Sequence, residues 1–361
     1  MSRPSRALID LDALQNNLRV ARALAPGRKV MAVVKANAYG HGTEVIGRAL
    51  DQFVDAMAVA CLEEALTLRQ AGITSPVLLL EGLFEESEIQ AAAEHGLWLT
   101  IDNEAQVRWL EKSRLSTPVK CWLKIDTGMH RLGVQPENVA GVHRRLSACD
   151  NVSGDPVLCT HFASADDVSS GQTLQQLERF EQATAGLPGS RSAANSAGVL
   201  AWPKAHYDWI RPGYMLYGNS PMTVPHVNTD PLKPVMTLSS RVISVREIAI
   251  GETVGYGATW TAERPSRIAT VAVGYGDGYP RLARNGTPTL VNGQRAPLVG
   301  RVSMDMITID VTDLPAARQG DAVTLWGPEL PVDEIADCAG TIGYELTTRM
   351  PMRTPRVLTS G

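Results

Sequence analysis

"AMAVACLEEALTLRQAG", residues 56–72, joins a five-residue apolar run to an amphipathic stretch of helical period closed by glycine. A run this short between polar flanks reads as a buried strand, and the stretch behind it as a helix that covers the strand. The pair recurs along the chain. PVLLL (76–80) precedes FEESEIQAAAEHG, LWLTI (97–101) precedes DNEAQVRWLEKS, VKCWLKID (119–126) precedes PENVAGVHRRLSAC, and VLCTHF (157–162) leads to SGQTLQQLERFEQATAG. Two further apolar segments end at SAANSAG and HYDWIRPG, and MAVV (31–34) opens the series. About eight strand-helix units predict a parallel sheet covered by helices, and the count fits a closed (β/α)8 barrel of the TIM type better than an open sheet.

After SPMTVPHVNTDPLKP (220–234) the pattern changes to alternating or β-branched segments separated by glycine turns, among them MTLSSRVISVREI, SRIATVAVGYGDG and MDMITIDVTD. The expected organisation is an α/β barrel over residues 1–230 and a C-terminal all-β domain over 231–361, with the first ~9 residues candidates to join the second domain.

The 361 residues, 44% hydrophobic and 20% charged, can bury one large core and still supply a second domain. A net charge of -4 offers no basic surplus, so neither nucleic acid nor a membrane surface is the expected partner. No apolar run suits a signal peptide or a membrane span, which predicts a cytoplasmic protein. The five cysteines are scattered without a CxxC pair and the seven histidines lack paired spacing, so no disulfide framework and no metal site is expected. The acidic doublets Glu63-Glu64 and Glu85-Glu86 read as solvated helix faces or first-turn charges. GYGDGY is not a nucleotide loop, since it does not open a βαβ unit.

The chemistry centres on "MAVVKANAYGHG", residues 31–42, where a buried strand ends in Lys35. Such a lysine either snorkels to solvent or serves as a partly desolvated amine for a Schiff base, which points to pyridoxal phosphate. Lys35, Lys124, His161, Asn195 and Arg211 all end predicted barrel strands, at the rim where barrels build their sites. A phosphate could be held by Ser196 in AANSAG and by the amides of Gly213 and Tyr214 in IRPGYMLYG; each motif also reads as a helix cap or turn.

Nine motifs in order, VVKANAYGHG, KIDTGMHRLG, THFASAD, ANSAG, RPGYMLYG, VGYGATW, GYGDGYPR, GRVSMD and TIGYEL, make the whole chain resemble the alanine racemases. The resemblance implies a pyridoxal-phosphate enzyme that interconverts L- and D-alanine with two bases, Lys35 on one face and Tyr256 of the partner subunit on the other. It implies that Lys35 carries the cofactor, that Tyr39, Ser196, Gly213, Tyr214 and Tyr344 hold its phosphate beside Asn195, and that His161 and Arg211 border its ring. An arginine facing the pyridine nitrogen favours the unprotonated ring, a weaker electron sink suited to racemisation. Further implications are substrate contacts from Arg131, Tyr256, Tyr275, Met304 and Asp305, a carbamylated Lys124, and an access corridor of Asp166, Arg281, Arg301 and Ile342. The family assembles as a head-to-tail homodimer and serves D-alanine supply for peptidoglycan or D-alanine breakdown. Broad-specificity or serine racemisation is the alternative, followed by amino-acid decarboxylation or a non-catalytic cofactor carrier. Two positions depart from the family pattern: Tyr214 stands where isoleucine is common, and Gly276 where alanine is usual.

Overall fold

The computed structural model describes residues 3–359. β1 (Arg6–Ile9) and α1 (Leu11–Leu24) lead into eight short strands: β2 (Lys29–Val33), β3 (Ala56–Val59), β4 (Val77–Leu79), β5 (Leu97–Ile101), β6 (Cys121–Lys124), β7 (Val157–Cys159), β8 (Arg191–Ser192) and β9 (Trp209–Ile210). β2 to β9 pair in parallel in chain order and close on themselves, with Val30 opposite Ile210. The barrel expected from the strand-helix alternation is the observed fold. Most of its strand residues, Met31, Ala32, Met57, Leu78 and Leu99 among them, are buried. One face of each strand meets the barrel interior and the other a covering helix, which is why these runs are apolar without alternation. Trp98, Trp122 and Trp209 pack together with ring centroids 5.5–6.3 Å apart in the barrel interior, and Trp122 reaches the cavity at the rim that carries the polar residues.

β10 (Met236–Ile248) is the spine of a mostly-β second unit. It pairs antiparallel with Ser266–Val271, with Ala322–Trp326 and with β1, where Arg6 lies opposite Ser239. Arg356–Leu358 adds to the other edge of β1 in parallel. The barrel is therefore threaded between two strands of one sheet. Burial alternates along the first half of β10, as a sheet with one face on a core requires. Two helices, Val332–Ala339 and Gly343–Thr348, interrupt this unit where the sequence reading places only strands. They pack at the barrel rim, and one continuous hydrophobic core runs from the barrel strands to Leu325, Trp326 and Ile335. Among the described residues no helix is long and apolar enough to cross a membrane.

Candidate active site

Lys35 lies two residues beyond the end of β2 and enters a turn of unusual hand. Ala36, Asn37, Ala38 and Tyr39 have φ of 53°, 54°, 52° and 51°, a full turn of left-handed helix made without glycine. Each such residue costs about 1–2 kcal/mol, so the turn exists only because its surroundings impose it. The Ala36 amide donates to Glu64 Oε1 at 2.6 Å, while Glu64 Oε2 takes the Ala60 amide at 2.8 Å. Asn37 Oδ1 accepts from the Thr43 amide at 2.8 Å. Buried His41 turns Nδ1 to the carbonyls of Ala38 and Tyr39, 3.0 and 2.9 Å away, and Arg356 Nε donates to Gly40 O at 2.9 Å. Glu64 stands in the first turn of the helix Leu62–Gln70, one of the two readings given for it, but it is half-buried and clamps backbone rather than facing solvent.

The turn sets Lys35 and Tyr39 at the wall of a cavity of about 1320 Å³ at the C-terminal ends of the barrel strands. Burial depresses the Lys35 pKa below its ordinary value; Glu81 opposes the shift and Arg131 adds to it. Among the described residues the Lys35 amine has no hydrogen bond or ion pair, so it faces the cavity uncommitted. Tyr39 is pushed up to about 12 by burial alone, which keeps its phenol protonated and able to donate.

The floor is cationic. Arg211, 6% exposed, donates from Nη1 to Ser192 Oγ at 2.5 Å and from Nη2 to the carbonyls of Thr160 and Ala193 at 2.6 and 3.2 Å. Its hydrogen-bond partners are neutral oxygens, with no carboxylate among them. His161 is held well below its usual pKa by burial and by the positive charges of Arg211, Lys124, Arg131 and Lys35, so it presents a neutral imidazole. Lys124, at the end of β6, is also depressed, by burial first; Cys159 opposes this, while Arg131 and Arg211 reinforce it. Arg131 is exposed on a loop organised by Asp126, which accepts from the Gly128 and His130 amides at 3.1 and 3.0 Å.

Also on the cavity wall, Ser196 Oγ accepts from the Gly213 amide at 2.9 Å and the Met215 amide at 3.3 Å. A hydroxyl has two acceptor sites and one proton, so Ser196 retains its proton for a group in the cavity. The Gly213 amide, expected to face a phosphate itself, acts through that hydroxyl. Gly213 is required by packing: a Cβ there would stand 2.7 Å from Tyr39 Oη. Asn195 Oδ1 is committed to capping, accepting from the Gly198 amide at 2.9 Å. Tyr344, from the helix Gly343–Thr348, and Ile342 and Asp166 also border the cavity.

Tyr256, Tyr275, Met304, Asp305, Arg281 and Arg301 do not line it. Tyr256 is 70% exposed and Met304 52%, both on the β-unit. There the Gly276 amide donates to Met304 O at 2.9 Å, and a Cβ on Gly257 would sit 3.4 Å from the Arg301 guanidinium carbon. Arg353 pairs with both Asp305 and buried Asp277, and a Cβ on Gly276 would stand 2.9 Å from Arg353 Nη1. The glycine at 276 gives that guanidinium its room. Sequence reasoning missed Glu81, Asp126 and Asp333. Of these only Asp126 sits inside a motif that drew attention.

Among the described residues no cluster of His, Cys, Asp and Glu could hold a metal. The cavity instead combines an uncommitted amine, hydroxyl donors from Tyr39 and Ser196, and a buried guanidinium, a set suited to a covalently held anionic aldehyde. Fold and site together define a barrel enzyme with a lysine-centred cavity and an appended β-unit. The family profile described as alanine racemase, N-terminal domain, matches residues 9–221, and the one described as alanine racemase, C-terminal domain, matches 235–358. The chain belongs to the alanine racemase family. It is 52% identical over 354 residues to a catabolic alanine racemase of Pseudomonas putida, covering 98% of each chain. The crystal structure of a biosynthetic alanine racemase from Pseudomonas aeruginosa superposes with a TM-score of 0.95 at 49% identity, covering 99% of this chain and 100% of that one. An alanine racemase from D-cycloserine-producing Streptomyces lavendulae superposes at 0.89 with 32% identity, covering 100% and 98%.

Proposed function

We propose that this chain interconverts L- and D-alanine with pyridoxal phosphate held by Lys35, and that two copies share their active sites. Pyridoxal phosphate, when bound, supplies an aldehyde for the amine and a ring that accommodates the charge left when the α-proton departs. The observation that carries the reading is the uncommitted Lys35 amine facing a cavity whose hydroxyl donors belong to Tyr39 and Ser196. Those hydroxyls, with Tyr344, fit the phosphate, and Arg211 fits the ring nitrogen as a cation that disfavours protonation there. His161 borders the ring as a neutral group, and Arg131 binds the substrate carboxylate.

Inversion needs a proton acceptor on one face of the α-carbon and a donor on the other. Lys35 Nζ serves one face. The phenol of Tyr256 of the partner subunit serves the other, which accounts for its exposure away from the cavity of its own chain, beside Tyr275, Met304 and Asp305. Asp166, Ile342, Arg281 and Arg301 then flank the path of the amino acid. The test is incubation of the purified protein with L-alanine in D2O. Loss of optical purity with deuterium at the α-carbon is expected, and retention of both optical purity and the α-proton would sink the reading.

Lys124 is proposed to be carbamylated: its neutral amine adds to carbon dioxide and loses a proton, giving an anion beside Arg131. The depressed pKa of Lys124 and its cationic neighbours support this. Intact-mass measurement at mildly alkaline pH with bicarbonate should show the mass of one added carbon dioxide, lost on Lys124→Ala; an unmodified mass under those conditions contradicts it.

A further inference from the structure

We propose that Tyr214 and Asp333 form a latch across the two units that positions Tyr344, and that this latch sets how tightly the phosphate end of the cofactor is held. The inference rests on the proposed cofactor site and adds two side chains to it as positioning residues. Tyr214 opens the segment Tyr214–Tyr217 behind the barrel rim and is 1% exposed. Its phenol donates at 3.0 Å to Asp333 Oδ1, on the helix Val332–Ala339 and 119 positions away in the sequence. Its ring lies on that of Tyr344 with centroids 3.6 Å apart and planes 14° apart. Gly343 lies against the bond, and a Cβ there would overlap both Tyr214 Oη and Asp333 Oδ1. Only glycine leaves room for the latch, and Tyr344 is the next residue.

Among the described residues the Tyr344 hydroxyl has no hydrogen-bond partner, and its ring packs against the core with that of Tyr214 stacked on it, so its direction is set by this packing and by the backbone that the latch holds. Tyr39, the other phenol proposed at the phosphate, has its ring centroid 6.2 Å from that of Tyr344 and 6.4 Å from that of Tyr214. The latch thus braces one hydroxyl and borders the second. Released, Tyr344 must lose freedom on binding the phosphate, and that cost falls on cofactor affinity.

The experiment is equilibrium dialysis of the full-length protein and its variants against graded pyridoxal phosphate, or against pyridoxal, which lacks the phosphate, reading bound cofactor by absorbance. Y214F keeps the stack and removes the donor, D333L removes the acceptor, and D333N keeps an acceptor. Y214F and D333L should each weaken pyridoxal phosphate about 5-fold, as loss of one hydrogen bond does, with D333N within twofold of the unaltered chain and pyridoxal affinity unchanged throughout. On a Y344F background, Y214F should cost nothing further. If D333L does not fold, Y214F decides alone. Affinity of Y214F within twofold of the unaltered protein, equal losses for both probes, or losses that multiply with Y344F would each overturn the latch. Failure of the unaltered chain to take up pyridoxal phosphate would overturn the cofactor reading itself, and the latch with it.

Discussion

Lys35 sits where two opposing fields meet. Glu81 stabilises its ammonium, while burial and Arg131 destabilise it. Removing the negative charge with Glu81→Gln leaves Glu64, the weaker influence, as the carboxylate opposing burial and Arg131, so the pKa falls further and the neutral amine appears at lower pH. The rising limb of covalent pyridoxal-phosphate uptake against pH should therefore move to lower pH in E81Q; a limb that stays put or moves up would show that the Glu81 charge is not felt at the amine. At this scale the sequence was partly legible. Lys35 stood out because an ammonium at the end of an apolar run is costly unless it has a use. Glu81 and Asp333 did not, because each acts through a neighbour that only the closed barrel and the β-unit bring near.

The left-handed turn is an element no propensity announces. Ala, Asn, Ala and Tyr have no common preference for positive φ, and their conformation comes from Glu64, His41 and Arg356, all outside the turn. Alternating strands and helices, by contrast, were legible because each unit repeats the same local burial problem. The short helices at 332–339 and 343–348 were not, since eight- and six-residue helices carry little periodicity. The turn ends at Gly40, with φ of 82° and no room for a Cβ beside Thr347 O. Gly40→Ala combines backbone strain with that overlap and should cost about 3 kcal/mol or more in denaturant-unfolding stability. A loss under 1 kcal/mol would mean that the helix carrying Thr347 yields easily.

On the scale of the whole molecule, the proposal pairs the cavity of one chain with Tyr256 of another. Mixing is the direct check. Lys35→Ala and Tyr256→Phe homodimers should each be nearly inactive, whereas co-refolding equal amounts should restore up to about a quarter of full activity, because half the dimers are mixed and each has one intact site. No recovery, with mixed dimers shown to form, would place both bases in one chain. The threading of the barrel between β1 and Arg356–Leu358 bears on how the molecule comes into being. Ile9 O accepts from the Thr359 amide, 350 positions later, and Arg356 grips the Lys35 turn from 316 positions beyond Gly40. During ribosomal synthesis the barrel strands emerge and can pair while β1 waits with an open edge. The guanidinium that steadies the strained turn emerges 316 positions after Gly40. Until Arg356 emerges, a nascent polypeptide lacks one of the contacts that hold the cradle for Lys35.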